Sequence, residues 1–133
     1  MMAGEKNLSK MLENLSPVMT EQEYVFCTFT KSSYGDLSDL EPIASVMEDE
    51  GLTLVLKKER AIQAGVEYFD TFRCISLGIH SDLTSVGLTA KISSVLYQHG
   101  ISSNMIAGYF HDHIFVPSDK ALNALEVLSG PLK

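Results

Sequence analysis

Two short stretches of the chain carry side chains able to do chemistry. The first is His111-Asp112-His113, inside "GYFHDHIFVP". Two imidazoles around a carboxylate suit metal ligation, because alternate residues of one strand share a face. A zinc site needs three or four protein ligands. The remaining histidines, His80 and His99, fall at a strand end and a helix end, and their spacing does not bring them near. No metal and no cofactor is therefore expected. Acid–base or nucleophilic work is the other option, since "HSD" and "HDH" put His, Ser and Asp close in sequence. A triad, however, is a spatial arrangement, and neither a G-x-S-x-G elbow nor a G-x-x-x-x-G-K-[ST] phosphate loop occurs. A small metal-binding protein or hydrolase using His111, Asp112 and His113 stands as the alternative. The plain reading is a polar hairpin corner.

The second stretch is "HSDLTSVGLTA", residues 80–90. A helix starting near residues 84–87 offers unpaired backbone N–H groups and partial positive charge, which suit a carboxylate. Gly87 has no side chain, so a ligand can approach its backbone. Asp82 can accept an ammonium group, and Asn104 can both donate and accept. The same residues have ordinary work available: Asp82, Thr84 or Ser85 as helix caps, Asn104 as an edge polar residue.

The elements that would position these residues are readable from periodicity. Residues 73–79 form a strand by composition. Leu88, Ile92, Val95, Leu96 and His99 then repeat at helical spacing, and Gly100 suits the helix end. Residues 102–110 and 113–117 read as two strands, with His111 and Asp112 as the tight corner between them. Ser118 or Asp119 is expected to cap a last helix with Ala121, Ala124, Leu125 and Leu128 inward. The first half reads similarly. A strand covers residues 24–29, a helix starts at Pro42 with Ile43, Val46 and Met47 inward, a strand covers 52–56, and a short helix ends at Gly65. "YVFCTF" matches "FRCISL" with the cysteines in register, and "GLTLVLKKERAIQA" matches "DHIFVPSDKALNAL". The reading is an internal duplication, divided into residues 1–70 and 71–133. The hairpin strands are apolar on both faces, so a second repeat or a second subunit is expected to cover them, and a homodimer follows as the expectation.

The whole chain narrows the classes of function. Its 133 residues suit one domain or two very small ones. With 10 Lys and Arg against 17 Asp and Glu, the formal charge is −7, which argues against nucleic acid or an anionic membrane as partner. No apolar run approaches the roughly 20 residues of a membrane helix. The first fifteen residues lack the apolar core of a signal peptide. Cys27 and Cys74 are isolated and read as free buried thiols, which fits a cytoplasmic location.

The stretch from "IHSDLTSVGLTAK" through "HGISSNMIAGYFHDHIFVP" resembles an ACT domain. Residues 86–91, "VGLTAK", resemble the start of the family's first helix. Gly100-Ile101-Ser102 resembles the passage into its second strand, and Asn104-Met105-Ile106 followed by a hairpin, strand and helix completes the pattern. The nearest likeness is to the regulatory half of aspartate kinases, and to short stand-alone ACT proteins. The resemblance implies an α+β, ferredoxin-like βαββαβ fold in two tandem repeats, with helices packed on antiparallel sheet. It implies a non-catalytic regulatory sensor that binds an amino acid or a close analogue. Carried onto this sequence, the ligand-facing residues are Asp82, Thr84, Val86, Gly87, Leu88, Asn104, Tyr109 and His111.

Overall fold

The computed structural model describes residues 2–132. The chain divides into two compact units, one of residues 22–72 and one of the residues before 22 together with those from 73 onward. Each builds strands with helices packed against one face.

The larger unit opens with α1 (Leu8–Glu13), whose Asn7 side chain caps the first turn by accepting from Lys10 N. β1 (Pro17–Phe29) follows and gives only its first residues to this unit. The unit then has β4 (Phe72–Leu77), α3 (Leu88–Gln98), β5 (Asn104–Ala107), β6 (Asp112–Pro117) and α4 (Ala121–Ser129). Its strands lie in the order β1-β4-β6-β5. β5 and β6 pair antiparallel, with Met105 opposite Ile114 and Ile106 opposite His113. Helical spacing puts Leu88, Ile92, Val95 and Leu96 of α3 on one buried face. Leu88, Ile92 and Leu96 meet Ile75 and Leu77 of β4, Ile114 and Val116 of β6, Ala121, Ala124 and Leu128 of α4, and Met11 of α1 in one core. α3 ends as its sequence expects. Gly100 takes φ 70°, its N–H reaches Tyr97 O and that of Ile101 reaches Leu96 O, both at 2.9 Å. This paired closure needs a left-handed residue, and Gly supplies it without steric cost.

The smaller unit holds the rest of β1 with β2 (Ala44–Glu48), β3 (Gly51–Lys57) and α2 (Lys58–Ala64). The strand order is β2-β3-β1, and both ladders are antiparallel. Leu52, Leu54 and Leu56 alternate onto one face of β3 and pack with Val25, Cys27, Leu40 and Ala61.

Two expectations need correction. No helix starts at Pro42. Ile43 N donates to Val55 O, and residues 44–48 form β2 along the edge of β3. Ile43, Val46 and Met47 are about half exposed, so an apolar helical face here would have had nothing to bury against, whereas the free edge of β3 offers backbone partners. Nor do Ser118 and Asp119 cap α4. They lie in a 3-10 turn, Ser118–Lys120, and no side chain caps the helix that follows. The chain before Tyr24, unassigned from the sequence, supplies α1 and the start of β1.

The α3 core generates a stability prediction. Ile92 is fully buried and Tyr97, on the opposite face, is 81% exposed. Ile92→Ala is expected to cost about 2–5 kcal/mol in urea unfolding, and Tyr97→Ala to stay within about 0.5 kcal/mol. Equal effects would place the α3 core on the wrong face.

Candidate functional site

The loop between β4 and α3 positions most of the sequence-predicted residues. It is pinned at its start, where Gly78 N donates to Ser16 O and Ile79 N to Leu15 O. Farther on, a short parallel bridge joins Ser81 to Glu5. Glu5 N donates to His80 O at 2.7 Å and Asp82 N donates to Glu5 O at 2.8 Å. Asp82 then closes a local turn. Its Oδ1 accepts from Thr84 N at 2.8 Å and from the Thr84 hydroxyl. These two bonds hold the Asp82 carboxyl below the usual carboxylate range. Both fall on Oδ1, so Oδ2 is left for another donor.

The sequence expectation that Asp82, Thr84 or Ser85 caps α3 is not met. The cap position is Gly87, at φ 104°, and no side chain bonds to the helix start. The first amide with a partner inside the helix is Lys91, which donates to Gly87 O. The N–H groups of Leu88, Thr89 and Ala90 precede that bond, as helix geometry requires. Gly87 is not open on every side either. A Cβ built there would lie 3.1 Å from Leu8 Cδ2.

A hollow of about 150 Å³ adjoins this loop, lined by Ala3, Gly4, His80, Ser81, Asp82, Leu83 and Tyr109. The rings of His80, Tyr109 and Phe110 cluster beside it, with centroids 5.1–5.9 Å apart. Asp82 and Tyr109 are thus brought together, and His80, Ser81 and Gly4 join them. Thr84 reaches the hollow only through Asp82. Val86 is 83% exposed, Leu88 belongs to the core, and His111 lies exposed at the hairpin. Asn104 sits on β5 opposite Phe115, whose carbonyl accepts from its side chain at 3.4 Å. None of these four lines the hollow. Larger hollows exist, one of about 520 Å³ between the ends of α1 and α4 and one of about 300 Å³ in the smaller unit. Neither gathers the residues of the 80–84 loop.

His111, Asp112 and His113 diverge. The turn is Tyr109-Phe110, closed by Gly108 N donating to His111 O at 2.9 Å. The expected corner at His111-Asp112 is therefore displaced, because Asp112 is already strand and pairs with Ala107. Alternation along β6 sends Asp112 and His113 to opposite faces. Asp112 is 7% exposed and accepts from Ser81 Oγ at 3.0 Å. His113 Nδ1 lies 2.7 Å from Ser76 Oγ, which is 3.8 Å from Cys74 Sγ. Among the described residues, no three or more His, Cys, Asp or Glu side chains converge as a metal would need. Cys27 is buried, Cys74 is half-buried, and both are free; burial pushes both thiols up.

Against this geometry, the comparisons give the family. ACT-domain models match residues 3–73 and 70–130. The chain belongs to the ACT-domain family. It is 49% identical to a Vibrio cholerae protein of unknown function, described as a possible transport protein, over 93% of this chain and 94% of that one, with a TM-score of 0.84. The regulatory subunit of aspartate kinase from Thermus thermophilus shares the fold at 10% identity and TM-score 0.64, over 88% of this chain and 96% of that one. An Agrobacterium tumefaciens protein matches at 16% identity and TM-score 0.63, over 81% and 80%. No curated protein matches the chain. The α+β, ferredoxin-like fold in tandem ACT repeats is that of the aspartate-kinase regulatory region, and family membership supports a regulatory, ligand-binding role. No helix among the described residues is long and apolar enough to cross a membrane.

The His113 environment yields a pH prediction. Burial pushes the imidazole below its ordinary 6.5, as does the nearby His111, against a smaller pull from Asp112. Below about pH 6.5 the unfolded chain takes up this proton first. The contribution is therefore complete above that pH and is lost as pH falls through the lowered folded value. Wild-type stability should decline from pH 7 to pH 5 more steeply than that of His113→Gln. Parallel curves in denaturant titrations at the two pH values would show that His113 is not held neutral.

Proposed function

We propose that the chain is a non-catalytic sensor that binds a small amino acid or a close analogue through the larger unit. The observation carrying this reading is Asp82. Its carboxylate is fixed by Thr84, it shares a hollow with His80 and Tyr109, and it lies a few residues before a helix start that no side chain caps. A zwitterion suits such a place. Its ammonium would bond to Asp82 Oδ2 against the His80 and Tyr109 rings. Its carboxylate would turn toward the free N–H groups of Leu88, Thr89 and Ala90.

The hollow of about 150 Å³ is half the lower end of the roughly 300–1,000 Å³ range of drug-sized pockets. It takes no more than the head group of a small amino acid, and the rest of the ligand needs the space that Ala3 and Gly4 wall off. In this reading Val86, Gly87 and Leu88 form the helix-side edge, with Asn104 and His111 more distant on the hairpin. The protein acts in the cytoplasm as a homodimer, with residues 1–70 and 71–133 as its two repeats. The exposed Ile43, Val46 and Met47 around the short strand β2 favour self-association, since edge strands with apolar side chains invite pairing.

The test begins with a thermal-shift panel of the common amino acids, followed by calorimetric titration of whichever one raises the melting temperature. Asp82→Asn keeps the shape but removes the charge and should weaken binding about tenfold or more. Equal binding by the variant would move the pocket elsewhere. Silence across the panel at millimolar concentration would sink the sensor reading. Light scattering should give at least twice 14.6 kDa, and a monomer would refute the dimer.

A further inference from the structure

The first residues of the chain lie across both ends of the site just described. Glu5 exchanges two backbone hydrogen bonds with His80 and Asp82. Ala3 and Gly4 form a wall of the hollow. The approach at Gly4 is as close as two backbones allow, since a Cβ there would meet Ser81 C at 2.5 Å and both Asp82 N and His80 O at 2.6 Å. Two residues past Lys6, the Leu8 side chain packs against Gly87 at the start of α3. The anchor follows at Met11, which is fully buried. Residues 3–6 are held by this short bridge, while α1 behind them is held by the core.

From this overlap we propose that residues 3–8 are a tethered competitor for the ligand. The inference rests on the amino-acid site proposed above. When docked, the segment narrows the hollow with Ala3 and Gly4 and covers the α3 start with Leu8. Lys6 supplies the mimicry. Lys6 directly follows Glu5, which bridges to Ser81 beside Asp82, so the segment carries to this loop the kind of charge a zwitterion would bring. Ligand and segment then exclude each other. A ligand that enters must release residues 3–8, and the released stretch, tied to α1, is the signal that a regulated partner could read. A segment docked about nine-tenths of the time weakens the apparent affinity about tenfold, and releasing it recovers that factor.

Two variants test this without removing Asp82. Gly4→Val cannot dock, because its side chain meets the backbone of residues 80–82. Lys6→Gln docks without the charge. Calorimetry with the amino acid found by the panel should show Gly4→Val binding up to about tenfold tighter than wild type, with Lys6→Gln between them. Hydrogen exchange on saturated wild type should show the Glu5 and Asp82 amides losing protection. If wild type binds, neither variant binds more tightly, and the Glu5 amide stays protected, the segment is a fixed wall and the competitor is refuted while the amino-acid site stands. If neither wild type nor Gly4→Val binds any amino acid at millimolar concentration, the site itself is refuted and the competitor with it. A Gly4→Val protein that does not fold leaves Lys6→Gln, an exposed position, to decide by the same comparison.

Discussion

One buried hydrogen bond fixes the geometry of the candidate site. Ser81 Oγ donates to Asp112 Oδ2 at 3.0 Å, with both residues less than a tenth exposed. A buried carboxylate needs such a partner, because an unpaired one loses its hydration for nothing in return. The bond ties the β4–α3 loop to the first residue of β6. Tyr109 and Phe110 turn just before that residue and so come to lie against His80. Asp82, next in the chain, is left at the surface with its carboxylate set by Thr84. On its backbone side, Ser81 forms the bridge with Glu5. One serine therefore holds together the hairpin, the loop and the first residues of the chain.

The division of labour within His111-Asp112-His113 follows from the same constraint. Asp112 is buried and accepts from Ser81, on the face of β6 opposite His113. His113, on the other face, lies 2.7 Å from Ser76 Oγ, and burial pulls its imidazole below the ordinary value. A neutral imidazole can accept from the serine hydroxyl, whereas a protonated one can only donate. What looks in sequence like a catalytic cluster is two separate side-chain attachments, Asp112 to Ser81 and His113 to Ser76, beside an exposed His111.

The elements of the second half are legible because periodicity, glycine placement and apolar runs agree there, while its helix caps and hairpin corner are not. The period of Leu88, Ile92, Val95 and Leu96, the glycine at position 100 and the apolar run at 113–117 each imply the element that forms, and the ACT likeness rests on that stretch. The first half was less legible. Ile43, Val46 and Met47 fit a helical period as well as an edge strand, and only the free edge of β3, a partner distant in sequence, decides between them. α1 went unseen because it is short and buries only Met11. Of the site, Asp82 and Tyr109 were legible and do meet. His80, Ser81 and Gly4 were not, because their roles come from backbone pairing between residues some seventy-five positions apart, which leaves no local period. Gly4 lacks a side chain, but nothing near it in sequence says what it approaches.

The central claim is that a zwitterion is held between Asp82 and the start of α3. The most direct measurement is an amide map by two-dimensional nuclear magnetic resonance, titrated with the amino acid that stabilises the fold. The largest shifts are expected at residues 81–84, at 88–90 and at Glu5, with His80 and Tyr109 side-chain resonances moving in step. Shifts concentrated instead at residues 26–28 and 67–69, or at 128–132, with 81–90 unmoved, would contradict it and assign the ligand to one of the larger hollows.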